Sequence, residues 1–246
     1  MAGLMDIHNH ALFGVDDGAQ TVEACMQMLQ NAYSQGIRVI CFTPHYNPSL
    51  FRTNPKDIAA HYEKVCTMAA HQFPDLTLML GNEVYAYPDS ASALDEGKCL
   101  PLGNGRVVLV EFSPHVGYRE MKNRFLSLFA AGYAPLLAHA ERYVCLFQKP
   151  DRIKELLELR VGIQINAETV LDCMHFRMYR FVHHLLARRM VQVIASDMHR
   201  IKQTNTMLRA YRKITKRYGE AYAKQLFYKN PKRILLPRQG EEQQNG

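Results

Sequence analysis

Seven short apolar runs punctuate this chain: Met5–His8, Arg38–Thr43, Leu76–Gly81, Val107–Glu111, Ala134–His139, Gly162–Asn166 and Val191–Ser196. Each is continuous rather than alternating, as a strand covered on both faces must be. Between them lie stretches with helical spacing: about Thr21–Gln35, Pro55–His71, Tyr118–Ala131, Pro150–Leu159, Leu171–Arg189 and Asn205–Phe227. Thr21 is placed to cap the first of these, with Glu23 in its first turn and Gly36 as its stop. Buried strands alternating with helices predict a parallel α/β fold, either a closed barrel or an open sheet. A length of 246 residues suits one such domain, and 48% apolar residues suffice for its core.

Every one of these runs ends in a polar residue or leads into one. The first ends in His8 and His10, with Asp16 and Asp17 just beyond. The second reaches His45, the third Glu83, the fourth Glu111 and the fifth His139. The sixth ends in Asn166, and the last runs into Asp197 and His199. In parallel α/β folds the downstream strand ends share one face, where active sites are built. Nine residues therefore converge as candidate metal ligands: His8, His10, Asp17, His45, Glu83, Glu111, His139, Asp197 and His199.

Taken singly, each has a structural explanation. A histidine can end a strand within the core, Glu83 can cap the helix that follows, and Asp17 can start one. Taken together these explanations fail, because several carboxylates buried at one mouth need cations to neutralise them. The set mixes imidazole nitrogen with carboxylate oxygen and has no thiolate, which suits Mn, Fe or Zn. Residues two apart on a strand share a face, so His8 and His10 can clasp one ion. Asp197 and His199 repeat that spacing.

The order H-x-H, DDGA, TPH, G-x-E, a strand-ending EF, AHAERY and SDMH resembles the polymerase and histidinol phosphatase (PHP) superfamily. Within it, DIHNHALFGVDDGA, TPHY, AHAERY and ASDMH closely resemble the metal-dependent bacterial protein-tyrosine phosphatases of capsular and exopolysaccharide operons. The likeness runs from Asp6 to about Leu235 and includes KNPKRIL near the end.

The resemblance implies a distorted seven-stranded (β/α)7 barrel, a single phosphatase domain over residues 1–235 with its basic C-terminal helix, and a polar tail over 236–246. It implies three divalent ions, Mn2+ first, with Fe or Zn possible. The first ion would take His8, His10, Glu83 and Asp197, the second Glu83, Glu111 and His139, and the third Asp17, His45 and His199. Arg142 matches an arginine that contacts phosphate, and Arg200 is the candidate for a second. His199 or Asp197 would assist proton transfer. Ala140 and Met198 stand where the family often has Pro and Ala; neither is a ligand.

The implied reaction is attack of a metal-held hydroxide on phosphotyrosine in the tail of a polysaccharide-biosynthesis tyrosine kinase. The alternative is a small-molecule phosphatase of the histidinol-phosphate type. A cysteine mechanism needs an arginine six residues after its nucleophile. The positions six after Cys25, Cys41, Cys66, Cys99, Cys145 and Cys173 hold Asn31, Asn47, Gln72, Gly105, Asp151 and Tyr179, so that chemistry is excluded. With no close cysteine pair and no export signal, these six are expected as free, mostly buried thiols in a cytoplasmic protein.

The net charge of +7 is local. Arg200–Arg233 holds eleven Lys or Arg and one acidic residue, Glu220, a balance of +10 that leaves −3 for the rest. Such a stretch suits an acidic, phosphorylated partner or a solvated helix face. It also permits a nuclease, but no aromatic-and-basic groove pattern supports nucleic acid. No apolar run is long enough to span a membrane.

Overall fold

The computed structural model describes residues 3–51, 54–201 and 206–237. In chain order the elements are β1 (Leu4–Asp6), α1 (Val22–Ser34), β2 (Ile37–Phe42), β3 (His45–Tyr46), α2 (Pro55–Gln72), β4 (Thr77–Leu80), β5 (Glu83–Tyr85) and α3 (Ser90–Asp95). They continue with β6 (Val107–Glu111), α4 (Tyr118–Ala130), β7 (Ala134–Leu137), a 3-10 turn (Ala140–Arg142), α5 (Pro150–Glu158), β8 (Gly162–Asn166), α6 (Ala167–Leu171), α7 (Phe176–Ala187) and β9 (Val193–Ala195). The chain then forms α8 (Thr206–Tyr218), α9 (Glu220–Lys224), a π turn (Gln225–Lys229) and α10 (Asn230–Leu235).

All strand pairs are parallel. They form a three-stranded sheet, β1-β2-β4, and a six-stranded sheet, β3-β5-β6-β7-β8-β9. Seven strands in one barrel were expected. All seven runs are present, but two are split, giving nine segments in two sheets. Pro44 has no N–H to donate, so the ladder of β2 cannot run unbroken into β3. The step between β4 and β5 falls at Gly81–Asn82. A Cβ on Gly81 would lie 2.9 Å from the Pro101 carbonyl oxygen. Asn82 stitches the step by donating from Nδ2 to the Pro44 carbonyl (2.9 Å) and accepting at Oδ1 from Leu100 N–H (2.9 Å).

Beyond β1 the chain also meets the segment after β9. Asn9 and Met198 form a parallel bridge. Asp197 N–H donates to the His8 carbonyl (2.9 Å) and His10 N–H to that of Met198 (3.0 Å). The first and last ligand pairs are thus locked side by side.

Thr21 caps α1 as expected, its hydroxyl accepting from Ala24 N–H at 3.2 Å, and Gly36 follows at φ +84°. The expected helix over 171–189 is interrupted between α6 and α7. The one expected over 205–227 breaks at Gly219 (φ +91°), and its first residue, Asn205, lies outside the described residues. In α8, Met207, Ala210 and Ile214 are buried while Arg209, Arg212, Lys216 and Arg217 are exposed, so much of the basic stretch is a solvated face.

The larger apolar cluster lies between strands and helices. A smaller one gathers Met5, Ile7, Cys41, Met79, Leu109, Leu136 and Val193 from six strands. Leu109 and Glu111 share a face of β6, so one strand supplies both that core and the polar centre at its end. The six cysteines are free: Cys25, Cys41 and Cys99 are buried, Cys66 and Cys145 half-buried, and Cys173 exposed. Among the described residues no helix is long and apolar enough to cross a membrane.

Candidate metal centre

Ligand atoms from all nine residues meet at the downstream strand ends. Glu83 sits at the middle. It opens β5 opposite His45 in register. Its Oε2 lies 3.1 Å from His8 Nε2, 3.2 Å from His10 Nε2 and 3.2 Å from His45 Nδ1, and its Oε1 lies 2.9 Å from His139 Nε2. Asp197 Oδ1 lies 3.3 Å from His8 Nε2 and 3.4 Å from His199 Nδ1. Glu111 Oε1 lies 3.2 Å from His45 Nδ1, and its Oε2 lies 3.9 Å from His139 Nε2.

Asp17 is reached by the turn after His10, where Gly14 (φ +66°) N–H donates to the Ala19 carbonyl at 2.8 Å and Ala19 N–H donates to the His10 carbonyl at 3.1 Å. Its Oδ1 lies 3.5 Å from His45 Nε2 and 3.4 Å from His199 Nε2.

Three groups of atoms are close enough to hold an ion: His8, His10, Glu83 and Asp197; His10, Asp17, His45 and His199; and His45, Glu83 and Glu111. Glu83, His10 and His45 each belong to two of them. His139 stands against Glu83 and Glu111 without joining the third group.

The residues fit metal ions on a specific observation. His45 Nδ1, Glu83 Oε2 and Asp197 Oδ1 are buried and make no hydrogen bond, although imidazole or carboxylate atoms surround each within 3.4 Å. A buried polar atom without a partner is costly. Atoms so close without hydrogen-bond geometry converge on a common point between them.

The surrounding side chains fix which nitrogens face that point. Gln164 Oε1 accepts from His8 Nδ1 (3.2 Å) and from His139 N–H (2.7 Å), leaving His8 Nε2 to face Glu83. Asp16 Oδ2 accepts from His10 Nδ1 at 2.7 Å and from His45 N–H at 3.1 Å. His199 Nδ1 donates to the Asp197 carbonyl at 3.1 Å. Asp197 Oδ2 accepts from Asn166 Nδ2 (2.7 Å) and Arg142 Nη2 (2.8 Å). Beneath the site, Asp6 accepts from Ser196 N–H (2.9 Å), Ser196 Oγ (2.6 Å) and Asn9 Nδ2 (2.9 Å). Glu141 Oε1 takes Asn166 N–H (3.1 Å) and Thr169 Oγ1 (2.9 Å).

The electrostatics follow. Burial works to lift the Glu83 carboxyl, but His8, His10 and His139 override it and hold it well below the carboxylate range. Burial opposes charge on His10, yet Asp16 and Glu83 raise it well above the ordinary imidazole value. His8 moves the same way against its burial, through Glu83 and Asp197. His45 also rises against its burial, through Glu111 and Glu83. His199 is lowered by burial and by His10. Asp6 and Glu141 are both raised by burial.

Two of the strand-end residues hold left-handed backbone: His139 at φ +31° and Asp197 at φ +51°. Non-glycine residues rarely adopt it, and such positions cluster at functional sites. Arg142 is half exposed at the rim, and Arg200 is exposed one residue past His199. A cleft of about 370 Å³, lined by Tyr85, Tyr87, Phe112, His115 and Arg124 among others, begins two residues past Glu83 and one past Glu111.

Asn166 was noted only as the polar end of the sixth run, and Gln164, Asp6 and Glu141 were not singled out from the sequence. The signal was a polar residue inside an apolar run, as in GIQIN and MDIH.

A parallel α/β scaffold carrying a carboxylate-and-imidazole centre at its strand ends defines a PHP-type metal protein. The chain belongs to the family of capsular polysaccharide synthesis proteins CpsB/CapC, whose model matches residues 4–236. It is 34% identical to the tyrosine-protein phosphatase CpsB of Streptococcus pneumoniae over 239 residues, covering 95% of this chain and 98% of that one. It is 27% identical to the tyrosine-protein phosphatase YwqE of Bacillus subtilis over 202 residues, covering 82% and 80%. Its fold matches a solved structure from the pair YwqE and CpsB, metal-dependent tyrosine phosphatases, with a TM-score of 0.87 at 25% identity over 94% of each chain. A histidinol phosphate phosphatase from Lactococcus lactis shares the fold at a TM-score of 0.60 and 17% identity, over 88% and 94%.

Proposed function

We propose that this chain removes phosphate from tyrosine side chains of a protein partner, using divalent ions held by the nine strand-end residues. The observation that carries this reading is the trio of buried, unpartnered atoms on His45, Glu83 and Asp197, in a chain of this family. His8, His10, Glu83 and Asp197 would hold a first ion. Glu83, Glu111 and His139 would hold a second, with His45 Nδ1 in reach. Asp17, His45 and His199 would hold a third, with His10 at its edge. Manganese is the ion proposed, and iron and zinc accept the same donors.

When bound, the ions supply positive charge for the phosphoryl oxygens and make water acidic enough to attack phosphorus at neutral pH. The chain's own residues do the rest. One guanidinium nitrogen of Arg142 is anchored on Asp197 while the half-exposed remainder can receive phosphate oxygens. Arg200 would be the second phosphate contact. Asp197 Oδ2 is committed to Arg142 and Asn166, and His199 Nδ1 to the Asp197 carbonyl, so His199 would assist proton transfer through Nε2 only when that nitrogen is not holding the third ion. The aromatic cleft beside Glu111 gives the tyrosyl ring a place to lie.

The partner proposed is the phosphorylated tail of a polysaccharide-biosynthesis tyrosine kinase, met in the cytoplasm, in capsule or exopolysaccharide assembly. Residues 1–235 would act as one catalytic unit; of the tail over 236–246, positions 238–246 lie outside the described residues. We also read the two sheets as one distorted seven-track barrel, a reading supported by the Asn9–Met198 bridge.

The test is turnover of a phosphotyrosyl peptide beside histidinol phosphate, with elemental analysis of gently purified protein. The peptide should be the better substrate, EDTA should abolish its hydrolysis, and manganese should restore it. Preference for histidinol phosphate would favour the small-molecule alternative, and full activity after metal stripping would remove the metal mechanism.

A further inference from the structure

A second groove, of about 440 Å³, opens on α7 and the start of α5. Gln148, Pro150, Phe176, Arg177, Arg180 and His184 line it, and none of its lining residues is acidic. Arg177 and Arg180 are exposed, and Phe176 is 62% exposed. The arginines are posed rather than loose. Arg180 stands over the Phe176 ring at 5.6 Å, and Arg177 over Phe147 at 5.9 Å while donating to Gln148 Oε1 at 2.9 Å. The buried Nε2 of His184 makes no hydrogen bond.

The groove is linked along the chain to the rim that carries Arg142. The turn carrying Arg142 packs against α7. The segment from Tyr143 to Lys149 leads from Arg142 to Gln148, and Val144 on the way is 58% exposed. A chain whose phosphotyrosine sat by Arg142 would therefore run its neighbouring residues across Val144 towards Phe176 and the two arginines.

We propose that this groove is a subsite for acidic residues flanking the phosphotyrosine of a protein substrate. The occupant is set by charge complementarity. Two exposed guanidinium forks, with no acidic residue among the described lining residues, suit carboxylates, and Phe176 covers the apolar part of the same segment. The inference rests on the reading of the chain as a protein-tyrosine phosphatase and names the peptide class it prefers.

Two peptides with the same phosphotyrosine test it, one flanked by glutamates and one by lysines. For the metal-loaded protein, kcat/KM should favour the acidic peptide by roughly fivefold to tenfold, carried by KM. The double variant Arg177→Glu/Arg180→Glu should reverse the preference, and Arg177→Gln/Arg180→Gln should bring the ratio near one. Circular dichroism melting checks that the variants fold, which their exposure favours. An unchanged ratio in both variants would overturn the proposal, because the preference would then arise elsewhere on the rim. Failure to hydrolyse either peptide would remove the phosphatase reading and this subsite with it.

Discussion

Gln164 does more for the centre than its neutrality suggests. Its side-chain oxygen accepts hydrogen bonds from His8 and from the His139 backbone, and its Nε2 donates to Asn166 Oδ1 at 2.8 Å. Asn166 in turn holds Asp197. One amide thus orients residues on three strand ends. Gln164→Ala should weaken metal binding and activity by roughly 10- to 100-fold, as losing such support does elsewhere. Glu83→Gln removes a charge shared between two ligand groups and should cost about 100-fold or more, with metal content measured beside rate. Proton linkage gives a further test. His8, His10 and His45 are each raised above the ordinary imidazole range by the carboxylates around them, so the metal-free protein holds protons there to higher pH than free imidazole would. Metal must expel those protons, so affinity should rise with pH, and calorimetry in buffers of different ionisation enthalpy should show proton release. The imidazolium–carboxylate attraction stabilises the metal-free protein fully below the unfolded value and is lost as pH rises through the raised folded values. Its stability should therefore fall towards alkaline pH. The gathering of nine candidate residues was legible because each ends an apolar run or lies just beyond one. The supporting role of Gln164 and Asn166 was not, because a neutral amide in such a run reads as core until its partners are placed.

Elements were legible where local chemistry decides them. The Thr21 hydroxyl and the left-handed backbone open to Gly36 bound α1. Thr21→Ala should cost about 1 kcal/mol in urea unfolding. The β2/β3 split follows from Pro44 in the sequence itself, whereas the β4/β5 split was not legible, because it depends on Asn82 bridging Pro44 and Leu100, residues distant in sequence. The DDGA turn shows the same limit. A Cβ on Gly18 would lie 1.9 Å from the His10 carbonyl oxygen, so Gly18 is required by close approach. Gly18→Ala must push that carbonyl aside and should cost on the order of 1–3 kcal/mol. Because the turn joins His10 to Asp17, the variant should also lose metal occupancy. A full metal complement in Gly18→Ala would show that the turn yields without moving its ligands.

For the whole molecule, the centre joins the chain's beginning to its end. Residues 8–10 bond to 197–198, and the ligands between them come from every intervening strand region except that of β8. Ions bound there should tie the fold together. An ion at 100 times its Kd adds about 2.7 kcal/mol, which for a chain of this size is a shift of roughly 5–10 °C in Tm. EDTA should lower Tm by that order, and an unchanged Tm would mean that the folded chain binds no ion tightly. The left-handed backbone at His139 and Asp197 works in the opposite direction, at about 1–2 kcal/mol each. A lineage selected for heat resistance alone would find glycine acceptable at either position and gradually shed its catalyst. Those two torsion angles put an imidazole and a carboxylate where glycine would sit most easily, so the side chain, not the backbone's own preference, accounts for the residue found there.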